Sequence, residues 1–235
     1  MRRASTAALL TALGLLLAAC QAGPGKPQDV APSPPAASPP PVASPGPGAG
    51  TGPSTRSSSS PSAAAVLSSG DQEQLDQELI AAAKANNALL VAELIGRGGN
   101  VNAKDRIQDS AFLYAGAEGF NEVLHLTLAA GADVAGTNRY GGTALIPASE
   151  HGHVETVRIL IGAGVPVNHV NNLGWTAMQE AILLNDGGPR QQEVVRLLLD
   201  AGADPGIRDP DGRTALQNAE RLGFAEIAAL IRGRG

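Results

Sequence analysis

One short pattern returns along the second half of the chain at a fixed interval. Ser110-Ala111-Phe112-Leu113, Thr143-Ala144-Leu145-Ile146 and Thr176-Ala177-Met178-Gln179 start 33 residues apart, and Thr214-Ala215-Leu216-Gln217 follows after 38. A unit of that length cannot enclose a core of its own, so a chain built from such units must stack them into a one-dimensional array with a shared core. Each pattern opens a helix: the hydroxyl can cap by accepting backbone N–H bonds, and the small Ala residues that follow suit a closely packed face. A second apolar run comes later in each unit, as in Val154-Glu155-Thr156-Val157-Arg158-Ile159-Leu160-Ile161 and Glu193-Val194-Val195-Arg196-Leu197-Leu198-Leu199. These runs end in Gly131-Ala132-Asp133, Gly164-Val165-Pro166 and Gly202-Ala203-Asp204, where glycine suits the left-handed turn that closes a helix.

The residues Gly141-Gly142-Thr143-Ala144-Leu145, Glu150-His151-Gly152-His153-Val154-Glu155 and Leu197-Leu198-Leu199-Asp200-Ala201-Gly202-Ala203-Asp204 closely resemble the ankyrin repeat family. The resemblance implies an all-α solenoid of about five helix-turn-helix repeats joined by hairpin loops. It covers a domain at 71–235, with repeats near 75–105, 106–138, 139–171, 172–209 and 210–235. The first unit is divergent but keeps Val101-Asn102-Ala103 before the next hairpin. The His that ties neighbouring hairpins in the family is replaced by Leu113, Ile146, Gln179 and Gln217, and the Pro of the same motif is Ala in each unit. Pro147 falls near the fourth position after the Thr143 cap, where it removes an early helix bond and strains the first turn without breaking it. The fourth unit carries five extra residues within Asn185–Gln191, expected to form a surface loop between its helices.

The first seventy residues have a different composition. Twelve of the 17 prolines lie between residues 21 and 70, whereas every aromatic residue lies beyond residue 110. Residues 1–19 read as a signal peptide: Arg2 and Arg3, then an apolar run through Leu13-Gly14-Leu15-Leu16-Leu17, then small residues. That run is shorter than the ~20 residues of a membrane-spanning helix. Leu17-Ala18-Ala19-Cys20 resembles a bacterial lipobox, which implies cleavage before Cys20, the only cysteine, and lipidation of its thiol and amine. Several acyl chains give stable anchoring where one would be marginal. Gln21 in place of Asp, by resemblance to enteric lipoproteins, implies the outer membrane and hence a periplasmic domain. The Pro/Ser/Ala/Gly-rich stretch from Cys20 to residue 70 cannot bury enough apolar surface to offset its ordering entropy, and is expected to be a disordered tether.

Composition also excludes functions. A formal charge of −5 argues against a nucleic-acid partner, which requires a basic face. Beyond residue 70 there are 21 acidic and 13 basic residues, a balance that fits solubility or a basic partner. A single Cys excludes an internal disulfide and a cysteine-cluster metal site. His151, His153 and Glu155 are the residues a metal-dependent hydrolase would use, but positions two apart do not share a helix face, and this stretch falls at a turn. His153 stands at the family's Gly-His position. No nucleophile elbow or phosphate-cradling loop occurs, so neither catalysis nor a cofactor is expected.

A protein-binding role is what the resemblance implies, through hairpin tips and the exposed side of each first helix. Register then assigns Arg106 and Ile107, Arg139 and Tyr140, Asn172 and Leu173, and Pro210 and Asp211 to the tips. Asp109, Gly142, Trp175 and Arg213 precede the capping hydroxyls, and Tyr114, Pro147, Glu180 and Asn218 hold the variable first-helix position. The candidate contact residues are Arg106, Ile107, Tyr114, Arg139, Tyr140, Leu173, Trp175 and Arg213, because Tyr, Trp and Arg dominate binding hot spots. Trp175 has two readings, a partner contact or packing on the neighbouring hairpin. Phe112, Phe120 and Phe224 are assigned to packing. The expected product is a monomeric, lipid-anchored scaffold that recruits or sequesters an unidentified protein; an immunity-like role against a toxic effector is the alternative.

Overall fold

The computed structural model describes residues 68–234, and the signal peptide, Cys20 and nearly all of the tether lie outside them. Among the described residues ten helices form five antiparallel pairs: α1 (Ser69–Lys84) with α2 (Ala88–Gly96), α3 (Ala111–Glu118) with α4 (Asn121–Ala129), α5 (Leu145–Glu150) with α6 (Val154–Gly162), α7 (Ala177–Leu183) with α8 (Pro189–Asp200), and α9 (Ala215–Leu222) with α10 (Ala225–Arg232). First helices pack on first helices along the array, and second helices on second helices. The described residues contain no strand. No helix among them is long and apolar enough to cross a membrane.

The expected array is therefore present, with a continuous core. Ala111, Ala144, Ala177 and Ala215 are all buried, and Leu124, Val157, Leu160, Val194, Leu198 and Ile227 fill the layer between the two rows of helices. Small residues let the first helices approach closely. At Gly116 in α3 a β-carbon would stand 2.8 Å from the Ala144 methyl of the next repeat. Phe112 is buried, and Phe120 and Phe224 pack partly buried against the same core.

Helix starts follow the hydroxyl pattern with one exception. Ser110, Thr176 and Thr214 accept from the backbone N–H three residues on, and Gln179 and Gln217 reach back to close capping boxes. Gln179 also donates through Nε2 to the Ile207 carbonyl at 2.9 Å, so this substitute for the family His still ties one hairpin to the next. At Thr143 the expected cap is absent. Pro147 has no N–H for the Thr143 carbonyl, which accepts instead from Ile146 N at 3.2 Å, the donor a capping hydroxyl would use. The Thr143 hydroxyl is left buried without a partner, and α5 begins only at Leu145, the shortest helix of the array.

Two boundaries also differ from expectation. The first helix starts at Ser69, ahead of the boundaries at 71 and 75, because Ser68 caps it by accepting from Asp71 N at 3.2 Å. The 185–191 stretch is only partly a loop: Pro189 at the first helical position starts α8, which runs to twelve residues. What remains is tied down on both sides. Asn185 Nδ2 donates to the Glu150 carbonyl of the preceding repeat at 2.7 Å, and Gly187 lies so close to the Phe224 ring that a β-carbon there would come within 2.5 Å of it.

Candidate protein-binding site

Each hairpin is organised from inside by one Asp or Asn at the repeat spacing. Asp105, Asn138, Asn171 and Asp209 use Oδ1 to accept backbone N–H groups of their own hairpin: Ile107 and Asp109, Tyr140 and Gly142, Leu173 and Trp175, and Arg213. This is the side chain standing in for a turn's backbone. The same bonds hold the tips proud of the array, where Ile107, Tyr140 and Leu173 are 49%, 50% and 51% exposed. Hairpins are also joined to each other. Asn172 N donates to the Tyr140 carbonyl at 2.9 Å, and the His169 Nε2–H to the Gly141 carbonyl at 2.6 Å.

Between the tips of the third and fourth repeats, at Tyr140 and Leu173, and the first helices lies an open groove of about 350 Å³. Of the residues expected at a binding face, Tyr114, Arg139, Tyr140, Leu173 and Trp175 come together in its wall. Arg106 and Ile107 stand exposed on the adjacent tip, outside the lining. Arg213 is also outside and is paired with Asp211. Both readings of Trp175 find a counterpart in the geometry: the half-buried indole borders the groove and also a second hollow edged by Asp209, Pro210 and Asp211 of the next hairpin.

The electrostatics of the groove are uneven. Arg139 is its one Lys or Arg among the described residues, and it is engaged: its guanidinium lies 3.3 Å from Asp109 and 4.7 Å from the Tyr140 ring centre. Burial pushes the Asp109 carboxyl up, against the attraction of Arg139. Glu118, Glu150 and Glu180 also line the groove, and none has an ion-pair partner among the described residues. Glu180 is 6% exposed, and its Oε1 accepts from Asn171 Nδ2 at 2.7 Å. Burial first, and the neighbouring Glu150 charge second, push its carboxyl up to about 7.

Reading for contact residues alone missed these carboxylates. The available signal was the register that places Glu180 level with Tyr114 and Pro147, both in the groove wall. The histidine pair shows no common aim. His151 donates through Nδ1 to the Ala117 carbonyl at 2.8 Å, His153 packs beneath Gly119, and Glu155 pairs with Arg158. Burial, with the neighbouring His151, holds the His153 imidazole below its ordinary range.

Stacked helix pairs, hairpins held by an internal Asx residue and a concave face edged by their tips define an ankyrin array, and the chain belongs to the ankyrin repeat family. Its sequence matches the model for ankyrin repeats (3 copies) over residues 79–169 and 112–209. Among solved structures it is similar to an ankyrin repeat domain from Acinetobacter baumannii AYE, 58% identical with a TM-score of 0.66, covering 67% of this chain and 80% of that one. A second ankyrin repeat protein of known structure is 40% identical, with a TM-score of 0.64 and coverage of 66% and 78%. The ankyrin repeat protein YahD of Escherichia coli K12 is 52% identical over 56 residues, 24% of this chain and 28% of that protein. The mitochondrial disaggregase of Homo sapiens is 43% identical over 58 residues, 25% of this chain and 8% of that protein. The chain thus covers under a third of the E. coli relative and under a tenth of the human one. Ankyrin repeats are protein-interaction modules, and the array described here is built as one.

Proposed function

We propose that this chain is a non-catalytic scaffold, anchored through lipidated Cys20 to the bacterial envelope, that recruits or sequesters a protein on the groove between the Tyr140 and Leu173 hairpins. The observation that carries the reading is the gathering of Tyr140, Leu173, Trp175 and Tyr114 at one concave site. Aromatic side chains are rare in this chain, and Tyr and Trp are enriched among the residues that carry binding energy at interfaces. The lipobox-like Leu17-Ala18-Ala19-Cys20 supports the anchor, and the Pro-rich stretch beyond it would give the array a reach between roughly 40 Å for a coil and roughly 150 Å when extended.

Affinity capture with the full chain, wild type against the Tyr140→Ala/Trp175→Ala pair, tests the binding role. The expected result is a protein recovered by the wild type and lost from a variant that melts as the wild type does. Equal recovery by both would place the contact elsewhere. For the anchor, labelling with a radioactive fatty acid should mark the wild type and not Cys20→Ala.

A further inference from the structure

The groove has apolar edges and an acidic interior. Its volume is at the small end of ligand-binding cavities, suited to one or two inserted side chains of a partner. The Tyr140 and Trp175 rings and the Leu173 and Leu184 side chains supply the apolar part. Its one Arg is balanced by Asp109, which leaves Glu118, Glu150 and Glu180 without an ion-pair partner among the described residues. Glu180 carries most weight. A nearly buried carboxylate with one hydrogen bond, from Asn171, and a second carboxylate nearby is costly on its own, and a cation entering the cavity offsets that cost. The Trp175 ring at the groove adds to this, since aromatic rings attract guanidinium and ammonium groups, as the Tyr140 ring already does with Arg139.

We infer that the groove takes an Arg or Lys side chain from an extended, otherwise apolar segment of a protein partner, with Glu180 and Glu150 receiving the charge and Tyr140 and Trp175 flanking its stem. This deepens the scaffold reading and rests on it. The groups that face Glu180 are Glu150 and His151 at the end of α5 and Asn171 on its own hairpin. Of these Asn171 and His151 oppose the rise of the Glu180 carboxyl, and burial and Glu150 outweigh them. An incoming cation therefore supplies what the surrounding elements lack.

The test is selection of a random phage-displayed peptide library on the immobilised full chain, followed by titration of the best synthetic peptide. Selected peptides should share one Arg or Lys among apolar neighbours. Exchange of that Arg for citrulline, or of Lys for norleucine, should weaken binding to the wild-type chain by at least about tenfold. Glu180→Gln, which keeps an acceptor for Asn171, should do the same, whereas Glu226→Gln, at an exposed position of α10, should change nothing. Peptides without a common basic residue, or an unchanged affinity after the citrulline or norleucine exchange, would overturn the inference. If such peptides still lose affinity on Tyr140→Ala/Trp175→Ala, the scaffold reading survives that failure. Peptides insensitive to both ring replacements, or no selected peptide at all, would overturn the two together. The exchange in the peptide uses the wild-type protein, so the result stands whether or not the Glu180 variant folds.

Discussion

Asn171 donates to the Glu180 carboxylate at 2.7 Å, and one repeat later the same two positions have exchanged chemistry: Asn218 donates to the Asp209 carboxylate, also at 2.7 Å. Each pair bonds a hairpin to the helix that follows it with one amide and one carboxylate. The charge lies on opposite members. In the fifth repeat it sits in the hairpin; burial works to raise the Asp209 carboxyl, and bonds from Asn218 and from the Arg213 and Asp211 amides outweigh that and hold it below its usual range. In the fourth repeat the charge sits on the helix, without those donors, in the groove wall.

That placement makes stability depend on pH. The Glu180 carboxyl is raised from 4.5 to about 7 in the folded state, so between those values the folded chain holds a proton that the unfolded chain has lost. Its contribution is complete below pH 4.5 and disappears as pH rises through 7, a loss of about 2 kcal/mol once water at the groove mouth is allowed for. His153, held below its ordinary range, acts in the opposite sense at the acidic end of the window. Chemical denaturation of the wild type and Glu180→Gln at pH 5 and pH 8 isolates the carboxyl. The wild type should lose more stability than the variant on going to pH 8; parallel losses would show that Glu180 titrates normally.

The orphaned Thr143 hydroxyl offers a stabilising change. It is buried and makes no hydrogen bond, so Thr143→Val removes a desolvated polar group and keeps the shape of the side chain. The expected gain is about 1 kcal/mol in urea unfolding. Thr176→Val, which breaks a capping box, should instead cost about 1 kcal/mol. A loss at both sites would mean that the Thr143 hydroxyl has a partner in solution.

A third expectation concerns the links between successive second-helix ends. Asn102 accepts from Asp133 N at 2.7 Å and donates to the Gly131 carbonyl at 3.1 Å, and Asn168 does the same with Asp204 N and the Gly202 carbonyl, at 2.7 and 3.3 Å. The equivalent residue between them is Ala135, and the residue it faces in register is Pro166, which has no N–H to donate. Asn168→Ala should cost about 1 kcal/mol, and Ala135→Asn should recover less than that. Equal and opposite effects in a thermal melt would show that Pro166 is not what keeps Asn out of position 135.

The spacing of 33, the capping hydroxyls and the closing glycines were enough to specify four of the five helix pairs and their stacking, because each depends on residues close together in sequence, and the divergent first pair came from the resemblance to the ankyrin repeat family. Register also placed Tyr140 and Leu173 at exposed tips, since a repeat assigns every copy of a position to the same side of the array. What the tertiary structure decided concerns groups whose surroundings come from a neighbouring repeat. Whether the 185–191 stretch is anchored by Glu150 and Phe224, which ring shares a cavity with which carboxylate, and how far Glu180 is removed from water turn on packing between repeats, whereas the Thr143 hydroxyl is orphaned locally, by Pro147. Burial and electric field belong to the packed array, and a linear pattern carries neither.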